Sequence, residues 1–356
     1  MDHLLKFAVT ISLLVVGSAS AQNWPAKSVR VIVPFAPGGG ADLTARPVSQ
    51  KLSEALGQQF VVDNRGGAGG AIGMELTAKA PPDGYTVMSM SGSFSATAAT
   101  HKLPYDPFDA LIPVVEIGFA PNVLVVHPAL PAKTAKELIA LARAKPGTLV
   151  FASTGVGGLT HMATELFANM AGIKLIHVPY KSTGVAMPEL LAGQTQLMVA
   201  GMLGSQPFFS SGRLRALAVT TPKRWPSLPN LPTVAEALPG YESGTYYGMF
   251  LPKGTPQAIV SRLNAEVNKI LQDGGVRNTL EAQGMAASGG TSAAFAARVK
   301  KEYDDGREDL TPGPVRATRG GGHDSPAEEI TTTQRGRTLS RNPRAGHHNI
   351  SFRCAR

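Results

Sequence analysis

The chain has 356 residues, of which 43% are hydrophobic, 17% are charged and one is a cysteine, and its formal net charge is +9. This length allows two domains with cores of their own. The lone Cys354 excludes internal disulfides, cysteine-based zinc sites and a thiol nucleophile in the body of the chain. The basic residues are scattered rather than striped, which argues against a nucleic-acid partner. The charge excess either steers small anions to the surface or has no specific role.

The N-terminus reads as a secretory signal peptide over residues 1–21. An apolar run follows Lys6, and the segment ends in the small residues Ala19-Ser20-Ala21. The run is too short to span a membrane comfortably. Neither an Arg-Arg pair nor a cysteine at the cleavage site is present, which argues against twin-arginine export and a lipid anchor. We therefore expect cleavage before Gln22 and a periplasmic location in a Gram-negative cell.

The first structural unit is predicted to alternate strands and helices. Strands are expected at 28–36, 58–64 and 85–91, with a helix ending before Gly57 and a second short helix after a glycine-rich turn. Asp42 or Thr44 is predicted to cap the first helix. This order is typical of a parallel sheet with crossover helices.

The same pattern returns over residues 125–240. Helices are predicted in "TAKELIALARAKPG", "LTHMATELFANMAG" and "VAMPELLAG", and strands in "TLVFAST", "KLIHVPY", "TQLMVAG" and "RLRALAVTT". A further strand and three helices follow over 241–304, and the simplest place for them to pack is the first unit. We therefore predict a discontinuous domain 1 (22–124 and 241–304) and a domain 2 (125–240).

Residues 305–356 have a different composition. They lack a sustained apolar period, and they contain nine arginines and no lysine. We predict that this tail is disordered, and the change in composition suggests a frameshifted reading of a GC-rich gene.

Two glycine turns are the strongest candidate site. "PFAPGGGAD" and "STGVGGLTH" each join the end of a predicted strand to the start of a predicted helix. Free N–H groups and the helix dipole at such positions favour an anion. Neither turn contains Lys or Arg, so a carboxylate there would be held by backbone amides, hydroxyls and water. The alternative is that the glycines only make tight turns.

Other chemistries have little support in the sequence. No P-loop, G-x-S-x-G elbow, carboxylate cluster or paired histidine spacing is present, so no cofactor, metal or catalytic group is predicted. His161 either contacts an anion or packs its helix. Lys181 is either a cation near the cleft or a solvated loop lysine.

These motifs, in this order, resemble the Bug-type periplasmic solute-binding proteins, the receptors of tripartite tricarboxylate transporters. The resemblance covers about residues 24 to 304 and includes "VVDNRGGAGGAIG", "HVPYKSTGVAMPELLAGQ" and "YGMFLPKGTP". It implies an α/β, two-domain Venus-flytrap fold (type II), each domain a mainly parallel sheet flanked by helices. It also implies capture of a small carboxylate between the domains, partly through bridging water.

The resemblance also transfers a set of ligand-binding residues onto this chain. Ser182 and Thr183 stand where the family usually has two glycines, and the family's C-terminal helix normally continues and is followed by a strand. The predicted ligand-binding residues, with Ser91 at the end of the third strand added, are Phe35, Ala36, Pro37, Gly38, Gly39, Asp42, Ser91, Ser153, Thr154, Gly157, Gly158, Thr160, His161, Tyr180 and Lys181.

The sequence therefore predicts a monomeric, non-enzymatic transport receptor. Its expected ligand is a dicarboxylate, an acidic amino acid or an aromatic acid, and its expected partners are membrane permease subunits. Two alternatives stay open: a periplasmic ligand sensor for a membrane signalling partner, and an α/β enzyme acting on an anionic substrate.

Overall fold

The computed structural model of the chain describes residues 24–308, with side chains through Asp304. The predicted signal peptide and the predicted tail beyond residue 308 lie outside the described residues. Residues 305–308, which the sequence analysis assigned to the tail, continue the last helix. Within the described range, no helix combines the length and the apolarity that crossing a membrane requires.

Strands and helices alternate through most of the chain. The strands are β1 (Val29–Val33), β2 (Phe60–Asn64), β3 (Thr86–Ser91), β4 (Leu111–Val126), β5 (Val150–Ser153), β6 (Ile176–Pro179), β7 (Leu197–Gly201), β8 (Arg215–Val219), β9 (Gly244–Pro252) and β10 (Ala286–Ala287). The α-helices are α1 (Gly40–Leu56), α2 (Ala71–Ala78), α3 (Ser93–Thr100), α4 (Pro107–Ala110), α5 (Ala135–Ala144), α6 (Leu159–Ala171), α7 (Thr183–Leu191), α8 (Met202–Ser210), α9 (Gln257–Gln272), α10 (Gly274–Ala282) and α11 (Ser292–Glu308).

The strands form two sheets that share one member. The first sheet has the order β2-β1-β3-β9-β4, and the second continues as β4-β7-β5-β6, while β8 and β10 also pair with β4. In the first sheet β1 to β4 run in one direction and β9 and β10 run in the other. In the second, β5 to β8 run in one direction and β4 opposes them. Most strands within each sheet thus point the same way, but the sheets are mixed: five of the nine pairings among the described strands are antiparallel, and all five involve β4 or β9.

The long strand β4 connects the two sheets. Its residues 111–121 pair with β9, and from Asn122 onward it pairs with β7. The change of partner falls between Pro121 and Asn122. The predicted domain boundary at residue 124 lies inside this strand, and the exact limits of the domains stay a prediction.

The buried apolar side chains form two clusters. One packs around the first sheet with Phe94, Phe250 and Phe295 and continues into the second sheet through Met198, and the other packs around β5 with Phe151 and Phe167. Such contiguous apolar clusters are what holds each sheet to its helices.

The last helix, α11, packs on the first sheet. Phe295 is 2% exposed, and its ring lies 5.3 Å from that of Tyr246 and 5.2 Å from that of Phe250. Gly248 makes this contact possible, because a Cβ there would overlap the Phe295 ring. The C-terminal elements therefore close the core that residues 24–124 begin.

We expect Phe295→Ala to lower the free energy of unfolding by about 3–5 kcal/mol, because it leaves a cavity under α11. Urea denaturation followed by circular dichroism measures this. Lys300→Ala, an exposed change on the same helix, is the control and should stay within about 0.5 kcal/mol. Equal stability of the two variants would show that α11 contributes little to the core.

Candidate functional site

A narrow cavity lies where the two sheets meet. The space between its atoms is about 420 Å³, including the part that opens to solvent. Its walls come from both sheets and from the shared strand. The lining residues are Phe35, Gly39, Gly40, Ala41, Ser91, Ser93, Asn122, Thr154, Leu159, Thr160, Ser182, Thr183, Gly201, Thr245 and Tyr247.

The first glycine turn brings the start of α1 to this cavity. The helix begins at Gly40 with Gly39 as its N-cap, and no side chain caps it. The predicted caps were therefore wrong: Thr44 instead donates its hydroxyl to the Gly40 carbonyl, and Asp42 lies within the first turn. Because the helix starts earlier than predicted, the amides of Gly40 and Ala41 belong to the first-turn donors that need a partner from outside the helix.

Asp42 fixes the shape of this turn. Its carboxylate accepts the Gly38 N–H at 3.1 Å, the Arg46 guanidinium at 2.9 Å and the Asn64 amide at 2.9 Å. Burial acts to raise the pKa of the Asp42 carboxyl, but these hydrogen bonds outweigh it and hold the pKa below its ordinary value of 3.8. The carboxylate therefore stays ionised and holds the turn from outside the cavity.

The second glycine turn brings the start of α6 to the opposite wall. Gly158 is the N-cap, again without a side-chain cap, and Leu159 and Thr160 of the first turn line the cavity. The Thr160 hydroxyl accepts the Thr154 N–H at 2.8 Å and lies 2.9 Å from the Thr154 hydroxyl. Two helix N-termini, one from each sheet, thus line one cavity.

His161 holds this second turn from behind. The residue is 1% exposed, and its Nδ1 accepts the Gly157 N–H at 3.1 Å. Its ring stacks on His177 with the centroids 4.0 Å apart, and Nε2 lies 3.6 Å from the Glu165 carboxylate. These contacts account for His161 as a residue that packs α6 and shapes the turn.

Three hydrogen bonds join the two sides of the cavity. The Ala36 N–H donates to the Lys181 carbonyl at 3.3 Å, and the Thr100 hydroxyl donates to the Gly157 carbonyl at 3.0 Å. The Leu159 N–H donates to the Ser93 hydroxyl at 3.4 Å. In this structure the two sides are therefore in direct contact around the cavity.

Glycines make that contact possible. A Cβ on Gly184 would overlap the Pro37 carbonyl oxygen, and one on Gly69 would lie 2.9 Å from the Val156 carbonyl oxygen. One on Gly155 would lie 3.0 Å from the Gly69 nitrogen. The turns thus meet backbone to backbone, with no side chains between them.

The structure places five of the predicted residues in the cavity wall: Phe35, Gly39, Ser91, Thr154 and Thr160. The others surround the site without lining it: Ala36, Pro37, Gly38, Asp42, Ser153, Gly157, Gly158, His161, Tyr180 and Lys181. Lys181 is exposed and contributes its carbonyl oxygen to Ala36. Whether each of these residues contacts a ligand stays a prediction.

Several lining residues were missed from the sequence. Ser182 and Thr183, noted there only as replacing two glycines, both line the cavity, and Ser182 also caps α7. Asn122, Thr245 and Tyr247 come from β4 and β9, where no glycine motif marks them. Only the pairing of β4 with β7 and β9 brings them to the cavity.

The cavity wall carries no charged side chain among the residues that the structure describes. Hydroxyls, backbone amides and one carboxamide are its polar groups. Nor do the described residues bring three His, Cys, Asp or Glu side chains together as a metal site. Burial raises the pKa of the Tyr247 phenol, so its hydroxyl is protonated at neutral pH. Such a wall recognises a ligand through hydrogen bonds and helix dipoles.

The family model for the tripartite tricarboxylate transporter family receptor matches residues 44–304. The chain belongs to this family of solute-binding receptors. It is 38% identical to protein BugT of Bordetella pertussis over 269 residues, which are 74% of this chain and 82% of BugT. The resemblance to Bug-type receptors drawn from the sequence is thereby confirmed.

Solved structures support the same fold. Rpa4515 of R. palustris, whose structure contains adipate, is 37% identical with a TM-score of 0.77 over 79% of this chain and 95% of that chain. MatC of Rhodopseudomonas palustris, with bound malate, is 30% identical with a TM-score of 0.76 over 79% and 98%. The predicted two-domain α/β periplasmic binding fold is confirmed, and this receptor shares it with both proteins.

We expect Asp42→Asn to lower the free energy of unfolding at pH 7 by about 1.5–3 kcal/mol, because charged hydrogen bonds to the first turn are lost. The pKa of Asp42 is lowered in the folded state, so its stabilising effect is complete above its ordinary pKa and is lost as pH falls through the folded pKa. The variant should therefore lose less stability than the wild type below pH 4.

Urea denaturation at pH 7 and across pH 5 to 3 measures both effects. Asp304→Asn, which alters an exposed pair with Lys300, is the control and should stay within about 0.5 kcal/mol at pH 7. Parallel acid curves for Asp42→Asn and the wild type would contradict the assigned role of Asp42.

Proposed function

We propose that this receptor captures a small organic carboxylate in the cavity between its two sheets and delivers it to a membrane permease. The observation that supports this most directly is that two helix N-termini without side-chain caps, Gly39–Ala41 and Gly158–Thr160, line one cavity whose wall carries no charge. The Gly40 and Ala41 amides and the dipoles of both helices favour an anion. At the second terminus the Gly158 and Leu159 amides donate to the Gly155 carbonyl and the Ser93 hydroxyl. The relatives with adipate and malate carry carboxylates in the same fold.

We propose that donors from both sides of the cavity hold the ligand. One carboxylate group accepts from the first-turn amides at Gly40 and Ala41 and from nearby hydroxyls such as Ser91, directly or through water. The hydroxyls of Thr154 and Thr160 contact the ligand from the other side of the cavity. Asp42 and His161 act indirectly. Each accepts a backbone N–H of its own glycine turn and so fixes the shape of that turn.

Domain closure is the second part of the proposal. We propose that residues 22–124 with 241–304 form one domain and residues 125–240 the other, and that they move about β4 and β9. A ligand favours the closed form only if it makes better contacts there. The direct contacts between Ala36 and Lys181 and between Thr100 and Gly157 form part of that closed form.

We propose that the protein works as a monomer in the periplasm after removal of residues 1–21. Membership of the receptor family supports a permease as the partner. A sensor in the same compartment would bind its ligand in the same way and is the alternative that the site itself leaves open.

An enzymatic role has weaker support. The relatives are binding receptors. The Ser153 hydroxyl does lie 2.6 Å from Nε2 of His177, the kind of pair a nucleophile needs. Ser153 is fully buried, however, and its Oγ also bonds the backbone N–H and carbonyl of Gly155, so it holds the turn rather than facing the cavity.

A thermal-shift panel tests the proposed ligand class. Dicarboxylates, acidic amino acids and aromatic acids are each added, and at least one should raise the melting temperature. A ligand at a hundred times its dissociation constant stabilises by about 2.7 kcal/mol. The uncharged methyl esters of the same acids are matched controls and should have no effect. A panel in which no acid stabilises the protein would overturn the proposed function.

We expect Gly184→Ala to weaken binding of any stabilising acid by about tenfold or more while leaving the ligand-free protein nearly as stable. The new Cβ would overlap the Pro37 carbonyl across the cavity mouth, and only separation of the two sides relieves that overlap. Gly274→Ala is the control, because a Cβ there meets no atom closer than 3.9 Å. Isothermal titration measures both, and unchanged affinity in Gly184→Ala would argue against closure by this contact.

A further inference from the structure

At the point where β4 changes its strand partner, a buried side-chain oxygen has no hydrogen-bond donor. Asn122 is 1% exposed and lines the cavity, and its side-chain oxygen Oδ1 has no hydrogen-bond partner. A buried carbonyl oxygen without a donor is costly, so it indicates a group supplied from elsewhere.

The rest of Asn122 is held in place. Its N–H donates to the Thr220 hydroxyl at 2.9 Å, and its carbonyl accepts from the Thr220 N–H at 3.0 Å. Its side-chain Nδ2 donates to the Ser243 hydroxyl at 3.0 Å. These hydrogen bonds to Thr220 and Ser243 hold the residue, and Oδ1 is left as its acceptor without a donor.

Asn122 Oδ1 and the Tyr247 hydroxyl lie near the same glycine of the cavity wall. A Cβ built on Gly201, itself a lining residue, would lie 3.9 Å from Asn122 Oδ1 and 3.5 Å from the Tyr247 hydroxyl oxygen. Burial keeps the phenol protonated, so Tyr247 offers an O–H donor near the same point of the wall as the Asn122 acceptor. Both groups are neutral.

A ligand hydroxyl satisfies both groups at once. It accepts from the Tyr247 O–H and donates to Asn122 Oδ1. A carboxylate placed there has no hydrogen to donate, so its oxygens would repel the Asn122 oxygen. A ligand keto oxygen would leave Oδ1 without a donor, and a ligand methylene would leave both groups unpaired. The pair therefore distinguishes a hydroxyl from its common replacements.

The pair also lies close to the start of α1. The Tyr247 hydroxyl adjoins Gly40 so closely that a Cβ on Gly40 would overlap it. Gly40 begins α1, where the carboxylate is proposed to bind. A ligand hydroxyl that reaches Tyr247 would therefore lie close to that carboxylate, as the hydroxyl of a 2-hydroxycarboxylate does.

We propose that Asn122 and Tyr247 select 2-hydroxycarboxylates over the same acids without the hydroxyl. This inference rests on the proposed function, since it specifies which carboxylates the cavity prefers. Asn122, Gly201 and Tyr247 form the floor of the cavity. In this proposal the floor selects among carboxylates, whereas the glycine turns bind the carboxylate group itself.

Matched acid pairs test the inference by isothermal titration: lactate and propionate, malate and succinate, and 2-hydroxyglutarate and glutarate, with both enantiomers of each hydroxy acid. We expect the hydroxy member of at least one pair to bind about tenfold tighter or more, because a site built for a hydroxyl penalises its absence. Tyr247→Phe and Asn122→Leu should each reduce that ratio to about threefold or less.

The control variant is Thr195→Val. Thr195 also carries a buried hydroxyl without a partner, but it lies outside the cavity wall, so the variant should keep the wild-type ratio. Tyr247→Phe removes a single oxygen atom, so it tests the inference even if Asn122→Leu fails to fold, as circular dichroism would show.

The outcomes separate the two proposals. If both members of every pair bind equally well, or if the ratio survives in Tyr247→Phe, the hydroxyl inference is overturned and the carboxylate function stands. If neither member of any pair binds and the wider acid panel also fails, the proposed function is overturned and the inference falls with it.

Discussion

The site depends on main chain lying directly against main chain. Where the two sides meet, Gly184 faces the Pro37 carbonyl, and Gly155 faces Gly69. Any side chain at these positions would separate the turns by the thickness of a methyl group or more. Because they do meet, the first turns of α1 and α6 reach one narrow cavity from two sides. The first-turn amides of α1 that the helix cannot satisfy internally are then available to a ligand, and the dipoles of both helices act on it.

A neutral wall has consequences for selectivity. Without a lysine or arginine in the wall, binding relies on amide and hydroxyl donors whose positions are set by the turns, and Asp42 and His161 set those positions. Fixed dipoles of this kind act strongly where water is excluded. They act on any carboxylate of suitable shape, so discrimination among acids has to come from other lining groups, among which Asn122 and Tyr247 are the most restrictive in their hydrogen bonding.

Local signals in the sequence were sufficient for much of the fold and for part of the site. Glycine turns between apolar strands and amphipathic helices placed Gly39, Thr154 and Thr160 correctly in one cavity wall. The strand β4 escaped prediction because Pro113 and Pro121 interrupt its pattern and its register with β9 shifts near Pro113 and Glu116. Without β4, neither Asn122 nor its neighbours on β9 could be recognised as part of the site.

The sequence by itself determined what is local: the position of most strands and helices, the turns that need glycine, and the family that the order of motifs resembles. Only the tertiary structure decided which groups line the cavity. Asp42 and His161 lie behind the two turns, where they accept the Gly38 and Gly157 amides, and neither is part of the cavity wall. Asn122 belongs to no motif, and Tyr247 begins the "YGMFLPKGTP" motif without being marked there as a site residue, yet β4 and β9 bring both to one cavity wall across 125 residues of chain. The direction of a side chain depends on strand pairing between distant segments, and a local pattern contains no information about that pairing.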